Sequence, residues 1–111
     1  HSPEVFESHI KNMVDRIKSA NPETDIILVA TSTPNPLLTD ARAKFWTYQY
    51  LYGEMLRKFE SDGIALIDIG ALQKELHKNK RFIDTTGNNV NHPNDFFIRI
   101  HAQALSALVV K

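Results

Sequence analysis

The chain contains no cysteine. That excludes disulfide bonds, zinc held by thiolates and a cysteine nucleophile, and it leaves the compartment open. No apolar run approaches the length of a membrane span. Neither charge is in surplus, because thirteen Lys plus Arg balance thirteen Asp plus Glu. A neutral chain without a basic block gives no support for nucleic acid or an anionic membrane surface as partner. No internal repeat and no secretory leader is visible, and the opening HSPEVFESHI reads as the start of a helix. None of the five histidines has zinc-ligand spacing on a helix, such as His-Glu-x-x-His. No metal and no cofactor are therefore expected.

What is present is an ordinary globular composition, 42% apolar and 23% charged in 111 residues, so the expectation is one domain or less. Ser2 predicts an N-cap, Pro3 the first helical position and Glu4 an acid at the positive end of the dipole. Phe6, Ile10, Met13, Val14 and Ile17 then recur at helical spacing until Asn21-Pro22. Ile26 to Ala30 is an unbroken, β-branched run, which predicts a strand covered on both faces. A long helix is expected from about Asp40 to Glu60, with Phe45, Tyr48, Tyr52, Met55, Leu56 and Phe59 as its buried stripe. Ser61-Asp62-Gly63 ends it. Ile64 to Ile67 reads as a second buried strand closed by Asp68, and a shorter helix runs from about Ala71 to Asn79. The polar loop Asp84 to Asn94 leads into a last helix with Phe97, Leu105, Leu108 and Val109 on its apolar face.

A strand–helix–strand core implies a crossover and a parallel sheet. Two strands are too few for such a sheet to occupy four helices. The expectation is that residues 1–111 form the C-terminal segment of a single larger α/β domain; the alternative is assembly with another polypeptide.

Ligands of open parallel sheets bind outside the carboxyl ends of the strands. Thr31 to Pro36 and the turn at Asp68 fall at such ends, and the loop GNNVNHPNDF, Gly87 to Phe96, can fold back to the same rim. In it His92 stands between Asn91 and Pro93, and Asn94 is positioned to cap the final helix. A fixed imidazole there is a candidate general base. The plain alternative is one more polar loop residue.

Asn89-Val90-Asn91-His92-Pro93-Asn94-Asp95, ahead of an apolar C-terminal helix, resembles the last conserved block of the SGNH hydrolases, also called GDSL-type esterases and lipases. The resemblance implies a three-layer, flavodoxin-like α/β/α domain that hydrolyses carboxylic esters, often acyl or acetyl groups on carbohydrates or lipids. It implies a small ester or acylated carbohydrate as substrate and is compatible with a secreted or periplasmic protein. Two departures matter. No Gly-Asp-Ser, Gly-x-Ser-x-Gly or Gly-x-Asn-Asp block is present, and Ser2, Ser8, Ser19, Ser32, Ser61 and Ser106 lack a nucleophile context. The chain alone is therefore expected to be inactive, its nucleophile supplied by a missing N-terminal half or another chain. The family's triad acid lies three residues before the histidine, where this chain has Asn89. Its amide oxygen would accept from the ring in a Ser-His dyad, with Asp84 as second candidate and a backbone carbonyl as another.

Asn35, Trp46 and Asn91 are the substrate-binding candidates. Trp46 and Tyr50 fall off the buried stripe of an aromatic-rich helix that would make a sugar platform. Asp68 reads as an N-cap, His101 as a partly buried structural histidine, and His9 and His77 as solvated helix residues. The competing function is a non-catalytic α/β interaction module whose Asn-rich loop only caps a helix.

Overall fold

The computed structural model describes residues 1–38 and 43–110, with side chains from residue 48 onward in the second stretch. In chain order the elements are α1 (Pro3–Ala20), β1 (Ile26–Ala30), α2 (Ala43–Arg57), β2 (Ile64–Asp68), α3 (Ile69–Leu76), a 3₁₀ turn (Phe82–Asp84) and α4 (Asp95–Val109). The fold is mixed α/β, with a two-stranded parallel sheet in which Ile26 faces Ile64 and Ala30 faces Asp68. The expected start of α2 at Asp40 lies outside the described residues.

Local chemistry sets most boundaries. Ser2 Oγ accepts from the Val5 amide at 3.4 Å, with Pro3 in the first turn. Gly63, at φ +75°, makes the left-handed turn into β2, a conformation that side chains with a Cβ resist. Asp68 caps α3 as expected, its Oδ1 accepting from the Ala71 amide at 2.9 Å. Asn94 caps α4 in the same way, at 3.0 Å from the Phe97 amide.

α1 packs on α2, and α2 packs on both strands and on α3. Phe6 stacks on Tyr52 with ring centroids 4.0 Å apart, which fixes α1 to α2. Gly53 brings α2 onto the end of β2, because a Cβ there would stand 2.7 Å from an Asp68 carboxylate oxygen. The core of the opposite side is Ile67, Ile69 and Phe97, with Leu76, Ile100 and Ala104 packed against it. Phe97 is 0% exposed, and burying such a ring contributes roughly 2–3 kcal/mol.

Two expectations about burial fail. Residues alternate between the faces of a strand, so Ile27 and Val29 share the face of Ala65 and Ile67. α4 meets that face at Ile67 and stops short of β1, leaving Ile27 40% and Val29 51% exposed. On α4, Leu105, Leu108 and Val109 are exposed, and the packing is done by Phe97, Ile100 and Ala104. Both departures have one cause: an apolar surface is covered only where another element reaches it.

Candidate functional site

The segment after β1 and the Asn-rich loop meet at the carboxyl rim of the sheet, and Asn35 joins them. Asn35 is 5% exposed. Its amide donates to the Val90 carbonyl at 2.8 Å, and its Nδ2 to the Asn89 carbonyl at 3.0 Å. Its Oδ1 accepts from the Leu37 amide at 3.0 Å. Two helices hold the same segment. Tyr50 on α2 donates its hydroxyl to the Pro34 carbonyl at 2.6 Å. Gln73 Oε1 on α3, 1% exposed, accepts from the Thr33 amide and hydroxyl at 2.8 and 3.0 Å.

The Asn-rich loop is a narrow reversal. Thr86 and Pro93 form an antiparallel bridge, the Gly87 amide donates to the His92 carbonyl at 2.9 Å, and the Asn94 amide to the Thr85 carbonyl at 3.1 Å. Inside it Asn88 Oδ1 accepts from the amides of Val90, Asn91 and His92 at 2.9, 3.0 and 3.1 Å. Asn88 is a further organising residue of the site, beyond the candidates that the sequence offers. The available signal was the tendency of Asn to satisfy amides a few residues ahead of itself. Asn89 has φ +54°, one of the few left-handed conformations a non-glycine residue adopts.

His92 is exposed and closes this reversal opposite Gly87. Its backbone is held on both sides, by Asn88 and by Gly87, while its ring makes no hydrogen bond among the described residues. Asn89 Oδ1 lies 3.4 Å from Asn35 Nδ2, turned to the β1 segment. Asp84 is engaged by Arg81, whose amide donates to Oδ2 at 2.8 Å and whose Nη2 donates to Oδ1 at 3.0 Å. Those hydrogen bonds hold the Asp84 carboxyl below its ordinary pKa. Asn91 is exposed, with its Oδ1 accepting from Asn88 Nδ2 at 3.3 Å. The structure thus gathers Asn35, Asn89, Asn91 and His92 at one rim. It joins neither the Asn89 amide nor the Asp84 carboxylate to the His92 ring. The Trp46 side chain lies outside the described residues. Among the described residues no group of three metal-ligating side chains converges, and no helix is long and apolar enough to cross a membrane.

On the other side of the Thr31–Pro36 segment lies a cavity of about 720 Å³, walled by α2, α3 and the 3₁₀ turn. It is lined by Tyr50, Arg57, Asp68, Lys74, His77 and Phe82 among others. Both oxygens of Asp68 are occupied, one by the Ala71 amide and the other by Arg57 Nη2 at 3.2 Å. His77 corrects its expectation as a solvated residue. It is half-buried, its Nε2 stands 3.0 Å from Thr85 Oγ1, and its ring leans on Phe82 at 5.1 Å. Burial lowers its pKa. His101 is the partly buried histidine expected, edge-on to Phe97 at 4.7 Å and also lowered by burial.

Comparison with protein-family profiles, with curated proteins and with solved structures returned no match.

Proposed function

We propose that this chain contributes the histidine of a serine-dependent carboxylic-ester hydrolase of SGNH type, within a three-layer, flavodoxin-like α/β/α domain. The observation that carries the reading is Asn35. It ties the loop bearing His92 to the segment at the carboxyl end of β1, where open parallel sheets hold their ligands. A histidine with a fixed backbone and an exposed, uncommitted ring at that rim suits proton transfer to and from a group approaching from outside.

The nucleophile comes from elsewhere. Among the described residues no serine hydroxyl is hydrogen-bonded to a histidine ring. In the proposed reaction a serine on a further segment or chain attacks the acyl carbon while His92 takes its proton. The imidazolium then gives that proton to the departing alkoxide oxygen. In the second half His92 deprotonates water, which attacks the acyl-serine; the imidazolium then returns that proton to the departing serine oxygen as the carboxylic acid is released. Asn89 and Asp84 are turned away from the ring, so the arrangement is a Ser-His dyad unless the partner segment supplies an orienting group.

The test is hydrolysis of p-nitrophenyl acetate by the protein together with its nucleophile-bearing segment. His92→Ala is expected to lower kcat by about 100-fold or more, the usual contribution of a positioned acid–base group. The exposed ring predicts an unchanged melting temperature. Full activity in that variant would overturn the assignment. The alternative of a non-catalytic interaction module is favoured by the uncovered apolar side of β1, and it predicts no hydrolysis from any combination.

A further inference from the structure

We infer that the cavity between α2, α3 and the 3₁₀ turn is a binding site for an uncharged saccharide, with His77 and Phe82 as its principal recognition residues. The inference concerns a site separate from His92 and stands whether or not His92 is catalytic.

The cavity opens at the carboxyl ends of both strands, where Thr31 and Asp68 line it. Its volume of about 720 Å³ lies in the range of small-molecule sites. The lining then narrows the ligand class. Arg57 is paired with Asp68 at 3.2 Å, and Lys78 with Glu75 at 2.6 Å. Lys74 and Glu54 remain in the lining without an ion pair among the described residues, one of each sign. Among the described residues the lining is near-neutral, which selects against a strongly charged ligand. The amino end of α3, the natural seat for a phosphate, is already taken by the Asp68 carboxylate, which would also repel one.

A ligand rich in hydroxyls matches what remains, because each hydroxyl both donates and accepts. Glu54 accepts, Lys74 donates and the Gln49 amide does both, while Tyr50 and Phe82 supply aromatic surface for the apolar face of a sugar ring.

His77 adds an acceptor whose protonation is set by its neighbour. Thr85 has one hydroxyl proton and spends it on the Phe82 carbonyl at 2.9 Å. Thr85 Oγ1 is therefore an acceptor toward His77, and the ring donates to it through Nε2–H at 3.0 Å. In the neutral ring Nδ1 then carries the lone pair, and it has no hydrogen-bond partner among the described residues. An acceptor beside the Phe82 ring suits a sugar hydroxyl whose carbon skeleton lies against the aromatic face.

The experiment is titration of the 15N-labelled protein with xylotriose and with maltotriose, using glucose 6-phosphate as the charged comparison. Expected is saturable, millimolar binding of a neutral trisaccharide, with shifts confined to residues 31–36, 49–57 and 68–85. His77→Ala should weaken it about fivefold, the loss of one hydrogen bond. Lys74→Ala, at an exposed position that the fold does not use, should weaken it similarly and guards against a misfolded His77 variant. His92→Ala should bind as the parent does. Three results would each overturn the proposal: no saturable shift with either saccharide, tighter binding of glucose 6-phosphate, or affinity unchanged in both the His77 and Lys74 variants.

Discussion

Asn89 shows what a single residue does that its spacing conceals. Three positions before His92, it is the residue from which the proposed hydrolase reading expects an orienting group for the ring. Its φ of +54° points instead to a backbone task, presenting its carbonyl to Asn35 Nδ2 at 3.0 Å. Glycine enters that conformation freely and β-branched residues resist it. Asn89→Gly is therefore expected to leave stability nearly unchanged, while Asn89→Val loses about 1–2 kcal/mol in urea denaturation. Equal stability of the two variants would contradict the left-handed turn. Local roles were legible from sequence. Asp68 and Asn94 were readable as caps because their partners lie three residues away. The partners of Asn35, Asn89 and Val90, lie far along the chain, so neighbouring residues do not point to them. The burial of His77 is hidden for the same reason, since Thr85 and Phe82 pack on it from beyond its own helix.

Among the elements, α4 depends most on its first turn. Asn94 accepts from the Phe97 amide and donates Nδ2 to the Asp84 carbonyl, both at 3.0 Å, and Phe97 is the ring that anchors the helix to Ile67 and Ile69. Asn94→Ala should cost about 1–2 kcal/mol in equilibrium unfolding, and Asn94→Asp should recover part of it by restoring the cap oxygen. If Asn94→Asp is as unstable as Asn94→Ala, the cap is not what holds the helix. Helical periodicity identified α4 and its apolar side. It did not identify which part of that side is covered, because amphipathicity records preference for an apolar neighbour and not the presence of one. β1 carries the same lesson, since its unbroken apolar run predicts two covered faces and the face of Ile27 and Val29 stays exposed.

Across the whole molecule the uncovered side of β1 is the main energetic liability. Ile27 and Val29 lie exposed on the first of only two strands, beside a strand edge that pairs with nothing among the described residues. Such an edge is a template for further pairing. The protein is therefore expected to self-associate as concentration rises. An Ile27→Thr, Val29→Thr double variant, which keeps strand-forming residues but removes apolar area, should sediment closer to a monomer. Unchanged association in that variant would move the sticky surface elsewhere, α4 being the next place to look.

The tie made by Asn35 also bears on the order in which the chain organises itself. Its side chain reaches a residue 54 positions away, whereas the caps of α3 and α4 close across three. Long closures cost more chain entropy than short ones and gain nothing until the segments between them are in place. The helices and the β1–β2 pair must therefore come together before the rim exists. By the same reasoning the rim opens first on the way to unfolding, so a weakness anywhere in the sheet registers there before the rest of the molecule yields.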